Sequence, residues 1–175
     1  MSVHSILWGD FIVKTRIRDT AIQLLADKGY HDMTIKSIAK SAGIAVGSIY
    51  THFENKEDII DCLFEEEFNK RIQYMSYLDK ENIIGVDKIS AYLDFYFDEL
   101  KQDRMLTIVL IRESTNPALI HLNGVKLFTE QCRVCFEEIL RDISKTKEIR
   151  DLDPIYSSQI ILNAIRGTVF DIALG

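Results

Sequence analysis

Apolar positions in this chain recur at steps of three and four residues, the spacing of helices with one buried face. No stretch alternates at the period of two that a half-buried strand requires. From Thr15, read as a cap, the stripe Ile17, Ala21, Leu24 and Leu25 predicts a helix that ends at Gly29. A second stripe, Ile35, Ile38, Ala39 and Ala42, predicts a two-turn helix capped by the Thr34 hydroxyl. A third, Ile49, Tyr50 and Phe53, follows after Ser41-Ala42-Gly43-Ile44, where Gly43 suits a turn of positive φ and Ile44 can plug the space between two helices. Two short helices joined at an angle by a Gly-containing turn form a helix-turn-helix, whose second helix fits the DNA major groove. The same spacing also describes a tight corner in an all-α protein.

The rest of the chain continues the pattern. Asn55 is placed to cap a helix to about Met75, with Glu57 and Asp58 suiting its positive start. The apolar positions Ile59, Ile60, Leu63, Phe64, Phe68, Ile72 and Met75 share its buried side. Helices are then expected over Val86 to Gln102, Met105 to Glu113 and Leu119 to Lys145. A charged turn from Lys145 to Asp153 precedes Pro154, a natural first-turn residue, and a last helix from Ile155 to Leu174. That last helix is apolar on more than one face, so it needs a core on one side and a further partner on the other. The fold class is all-α, divided at residues 1–54 and 55–175. The leader before Thr15 holds Ile6, Leu7, Trp8, Phe11, Ile12 and Val13. It is expected to extend the first helix or lie on the surface, the alternative being an arm that touches DNA or a partner subunit.

Gly29-Tyr30, Thr34, Ile38-Ala39, Ala42-Gly43-Ile44, Gly47-Ser48-Ile49-Tyr50, His52-Phe53 and Lys56-Glu57 resemble, in order and ungapped spacing, the DNA-binding domain of the TetR family of bacterial repressors. The match covers about residues 15 to 60. It implies a three-helix DNA-binding head and a helical body that binds an effector and dimerises. It also implies DNA-facing roles for Ala45, Val46, Gly47, Ser48 and Thr51 on the recognition helix. Gly47 allows close approach, Ser48 and Thr51 bond base edges or phosphates, and Ala45 or Val46 packs on a thymine methyl. The family often carries lysine where Val46 stands. Thr34, Tyr50, His52 and Lys56 match positions that hold the DNA backbone, contacts that fix register. Family bodies usually add one further helix, which this sequence does not supply after Gly175.

Charge sharpens this picture. The net charge is −6, yet residues 1–56 carry seven Lys or Arg against five Asp or Glu, and residues 57–175 carry fourteen against twenty-two. A mildly basic head on an acidic body suits a DNA reader that does not coat all DNA. No apolar run reaches the length of a membrane span and the start does not read as a signal peptide, so the cytoplasm is expected. An odd number of cysteines, three, fits a reducing compartment. Cys132 and Cys135 fall on one apolar helix face and read as core, and His4, His31, His52 and His121 have no metal-ligand spacing. Neither a phosphate loop nor a nucleophile elbow occurs, so an enzyme, a metal and a cofactor are not expected.

The reading is therefore a homodimeric repressor on a palindromic double-stranded DNA operator, released by a small, mostly apolar or amphipathic effector. The alternative is a DNA-binding regulator controlled by a protein partner or by no ligand. By resemblance, the pocket is expected among Phe68, Ile72, Tyr92, Phe95, Tyr96, Ile108, Phe128 and Cys132, with Arg112 as the charge for an acidic ligand.

Overall fold

The computed structural model describes residues 3–146 and 153–174, and every regular element among them is an α-helix. In chain order these are α1 (Val3–Asp32), α2 (Ile35–Ala42), α3 (Val46–Tyr50), α4 (Lys56–Lys80), α5 (Gly85–Gln102), α6 (Arg104–Glu113), α7 (Asn123–Thr146) and α8 (Pro154–Leu174). The chain forms two compact units, Met1–Leu63 and Phe64–Gly175. Their division falls inside α4, past the 54/55 boundary read from the sequence, because the first two turns of α4 cluster with the preceding helices.

In the first unit the apolar stripes meet in one core. Ile17, Ala21, Leu24 and Leu25 of α1 are buried, as are Met33, Ile38 and Ala39, Ile49 of α3, Phe53, and Ile59, Ile60 and Leu63 of α4. Thr15 is not a cap; α1 begins at Val3 and passes through it, since neither glycine nor proline interrupts residues 10 to 28. The leader thus lengthens α1, leaving Phe11 and Ile12 largely exposed. The side chains of residues 3–8 lie outside the described part. Gly29 does break the helix, with φ 77° and ψ 174°, and only a short turn follows it.

In the second unit α7 packs along α8 and α5, and α6 packs against α8 and α5. Met75, Leu78, Tyr92, Cys132, Phe136, Ile139, Leu162, Ile165 and Val169 share one apolar core. The predicted helix from Leu119 begins four residues late. Leu119 N–H donates to Asn116 C=O at 2.9 Å and Leu122 N–H to Leu119 C=O at 2.9 Å, so this stretch closes as successive turns before α7. Pro154 opens α8 as expected, and Asp153 caps it, its Oδ1 accepting from the N–H groups of Ile155 (2.9 Å) and Tyr156 (3.2 Å). Most of the predicted charged turn, residues 147–152, lies outside the described residues. One face of α8 stays bare: Tyr156 is 70% and Ile160 68% exposed, in line with exposed Ala164 and Gly167.

Candidate nucleic-acid interface and effector cavity

Local chemistry sets the angle between α2 and α3. Thr34 is extended and caps α2: its Oγ1 accepts from Ser37 N–H at 3.1 Å, while Ser37 Oγ accepts from Thr34 N–H at 3.0 Å. This reciprocal box fixes where the helix starts. At the other end Gly43 sits at φ 65°, ψ 36°, a left-handed position where a Cβ is disfavoured. Ile44 N–H then bonds back to Ala39 C=O at 3.0 Å, and the chain re-enters a helix at Val46.

Only Ile49 of α3 is buried, and it anchors the helix to the head. Ala45, Val46, Gly47, Tyr50 and Thr51 are exposed, and Ser48 is half-buried. A Cβ added at Gly47 meets nothing within 4 Å. Packing inside the protein therefore does not require glycine there. The Tyr50 ring is 57% exposed and does not pack into the core, contrary to the expectation from its helical register. Thr51 Oγ1 donates to Ser48 C=O at 2.8 Å, leaving its lone pairs as acceptors. Thr34 is exposed at the start of α2, and His52 is half-buried beside Phe53, with ring centroids 6.5 Å apart.

Lys56, which the resemblance implies holds the DNA backbone, bonds within the head. Its Nζ donates to the backbone carbonyls of Tyr30 (2.8 Å) and Met33 (3.1 Å) and lies 3.9 Å from the Tyr30 ring centroid. Tyr30 in turn donates its phenol proton to Glu57 Oε1 at 2.5 Å. Together these tie the broken end of α1 to the start of α4. Hydrogen bonding to Glu57, then burial and the Glu57 charge, push the Tyr30 pKa up to about 12. A raised folded pKa adds stability that is complete below the unfolded value, near 10, and is lost as pH rises to about 12. The stability of the Tyr30→Phe variant is therefore expected to vary less with pH over that window. Urea midpoints at about pH 9 and about pH 11.5 for both proteins test this.

Among the described residues of the second unit, those expected to meet an effector differ in burial and in the hollows they line, Tyr96 one and Ile72 another. Tyr92, Phe128 and Cys132 are buried, while Phe68, Ile72, Phe95, Tyr96, Ile108 and Arg112 are half-buried. Phe95 stacks on Tyr74 with centroids 4.2 Å apart, and Tyr92 meets Phe136 edge-on at 5.2 Å. Ile72 lines an open groove of about 460 Å³ with Met75, Cys135 and Ile139. Arg112 Nε donates to buried Glu113 at 2.9 Å, and Asn116 Nδ2 donates to the same carboxylate at 2.7 Å. Arg112 is thus engaged in fastening the end of α6.

A charge that the sequence reading missed stands among the aromatic rings instead. Arg71 is 4% exposed, its guanidinium 4.7 Å from the Phe128 ring and 5.5 Å from the Tyr96 ring. Its Nη1 donates to the carbonyl (2.7 Å) and carboxylate (3.1 Å) of Glu67, one turn earlier and fully buried. Lys70 Nζ reaches the other Glu67 oxygen at 2.7 Å from the surface. Arg71 Nε is buried with no partner, as is the hydroxyl of Tyr92 beside Cys132. Each such orphan costs about 1–3 kcal/mol. Burial raises the pKa of Tyr92 and of Cys132, so both stay protonated at neutral pH. A cavity of about 20 Å³, the space of a single water, lies among Glu67, Arg71, Tyr96 and Glu99 and the α6 residues Leu106, Thr107, Leu110 and Ile111. The signal for this pair was present: Glu67 and Arg71 occupy the buried stripe of α4 between Phe64 and Met75, with opposite charges four apart.

Among the described residues no three His, Cys, Asp or Glu are grouped to hold a metal, and no helix is long and apolar enough to cross a membrane.

Residues 17–63 match the family model described as bacterial regulatory proteins, tetR family. Over 155 residues the chain is 32% identical to the fatty acid metabolism regulator protein of Bacillus subtilis, covering 88% of this chain and 80% of the relative. It is similar in structure to the transcriptional regulator FadR from Bacillus subtilis, solved in complex with stearoyl-CoA. That match has a TM-score of 0.80 and 30% identity, and covers 91% of this chain and 87% of that one. A shorter match, 36% identical over 87 residues, covers 49% of this chain and 46% of the biofilm operon icaADBC negative transcriptional regulator IcaR of Staphylococcus epidermidis.

Proposed function

The chain belongs to the TetR family of bacterial regulatory proteins and is a DNA-binding transcriptional regulator, and from that premise we propose how it binds and how it is released. It is a cytoplasmic repressor that holds a palindromic operator as a homodimer and leaves it when a mostly apolar acyl compound enters its body. The observation that carries the DNA half is the bare surface of α3. Ala45, Val46, Gly47, Tyr50 and Thr51 stand in solvent on a helix that is anchored from behind by Ile49. Gly47 admits the DNA backbone, Ser48 and Thr51 bond base edges, and Val46 with Ala45 meets a thymine methyl. Thr34, Tyr50 and His52 hold phosphates and fix register. Lys56 acts indirectly, by holding α1 against α4.

One such helix reads too few base pairs, so two are needed, about 34–36 Å apart or a multiple of that. The bare face of α8 supports the assembly. Tyr156 and Ile160 supply apolar area, and Gly167, where a Cβ would meet nothing within 4 Å, admits a second backbone. Ile160→Glu is expected to shift the protein from dimer to monomer at micromolar concentration. Sedimentation velocity measures it, and an unchanged dimer would move the interface elsewhere.

For the effector, support comes from the similar protein solved with stearoyl-CoA and from the aromatic core around Arg71. A long acyl chain does not fit about 20 Å³, so entry requires α5 and α6 to move from α4. That movement is the step that couples ligand to α4, and through α4 to the head. The same small cavity favours a second reading, in which a protein partner or no ligand controls the regulator. Selection of bound sites from a random duplex library tests the DNA half. Enriched two-fold-symmetric sites are expected, and enrichment without symmetry would overturn the dimeric reader.

A further inference from the structure

We propose that Tyr30, Lys56 and Glu57 form a latch that positions the head for DNA, and that Lys56 raises operator affinity through this geometry rather than by contacting a phosphate. This inference rests on the reading above in which Thr34 and α3 face the duplex. Two consecutive residues of α4 grip Tyr30 at three points. Lys56 Nζ donates to the Tyr30 carbonyl at 2.8 Å and lies 3.9 Å from its ring centroid, while the phenol O–H donates to Glu57 Oε1 at 2.5 Å. The same ammonium donates to the Met33 carbonyl at 3.1 Å. Met33 is itself fully buried and directly precedes Thr34, the cap of α2. The latch thus spans the turn between the break at Gly29 and the start of α2.

That turn needs an outside hold. Gly29 leaves helical geometry at φ 77°, and the last carbonyls of a helix have no partner within it. A cation suits that negative end. Lys56 is in turn out of place at the positive start of α4, where Glu57 and Asp58 offset it. Its ammonium is therefore committed inside the head, on a side chain that is half-buried. Opening the latch frees the turn that carries Thr34, and DNA must then order it on binding. Ordering lowers affinity without removing a phosphate contact.

The test reads the salt dependence of binding. Fluorescence anisotropy of the full chain, on a duplex that the wild type selects from a random library, is run across salt concentrations beside thermal melts. Lys56→Met is expected to bind about tenfold more weakly, with the slope of log affinity against log salt unchanged. A lost phosphate contact would instead flatten that slope by about 0.9. Tyr30→Phe keeps the ring and decides the case if Lys56→Met does not fold. It should weaken binding about threefold, also at constant slope. In the Lys56→Met background the same change should cost no more than about twofold, because the latch is already open. Glu57→Ala tests the sign: removing an acid near DNA raises affinity on charge alone, whereas the latch predicts a loss of about threefold. A flattened slope in Lys56→Met, wild-type affinity in Tyr30→Phe, or tighter binding by Glu57→Ala overturns the latch and leaves the DNA reading standing. If the wild type selects no duplex, latch and DNA reading fall together.

Discussion

Arg71→Met is expected to lower the unfolding free energy by about 3 kcal/mol, one of the largest losses available to a single substitution in this chain. Removing one partner of a buried ion pair typically costs about 3–5 kcal/mol, because the other charge stays in a low-dielectric site uncompensated. Here the abandoned group is the Glu67 carboxylate, 1% exposed, and Lys70 on its rim moderates the loss from 2.7 Å away. Glu67→Gln/Arg71→Met should recover most of it, to within about 1 kcal/mol of wild type, since a neutral pair of similar volume leaves no buried charge. Urea titration of the two variants and the wild type measures this. A single variant as stable as the double would mean that Glu67 is not held in a desolvated pair.

Gly47→Leu should have the opposite profile: a head as stable as wild type, within about 0.5 kcal/mol, and a large loss in operator affinity. Glycine inside a helix is unfavourable by about 1 kcal/mol against other residues, and no atom stands within 4 Å of the Cβ position to resist a side chain. The fold therefore gives no reason for glycine at 47, on the exposed side of α3. If that side faces the groove, four added carbons hold the helix off the bases. Affinity should then fall by about 3 kcal/mol, roughly two orders of magnitude. Fluorescence anisotropy on a bound duplex, beside a thermal melt, separates the two effects. Unchanged affinity would turn α3 away from DNA.

How much of this was legible in the chain depends on whether the cause was local. Thr34 and Gly43 announced the ends of α2 because capping and positive φ depend on the residue itself, and both occur at those positions. Pro154 marked α8 for the same reason, although Asp153, a cap beside it, was passed over. The start of α1 was half legible: the apolar leader was expected to extend the helix, as it does, while Thr15 offers a cap chemically but lies inside α1. The resemblance places Lys56 at the DNA backbone, and in the structure its ammonium bonds the Tyr30 and Met33 carbonyls just past Gly29, a contact between residues 23 and 26 positions apart. Arg71 and Glu67 were overlooked because a charged pair at a four-residue step usually lies on a solvated face. Their place in the buried stripe between Phe64 and Met75 pointed the other way, and the packing of α5, α6 and α7 around α4 is what buries them. Arg112, the charge expected for the effector, bonds Glu113 through Nε, and Asn116 bonds the same carboxylate at that end of α6.

The most direct measurement is an anisotropy titration of the full chain on duplex DNA flanking its own gene, with and without saturating stearoyl-CoA. The account predicts salt-sensitive binding of the free protein, and apparent affinity lower by about tenfold or more when the acyl-CoA is present. That ratio corresponds to the roughly 1–3 kcal/mol by which an effector prefers the released arrangement. Tight binding that stearoyl-CoA leaves unchanged, with no other acyl compound shifting it, would contradict the account and favour a regulator controlled by a partner or by no ligand.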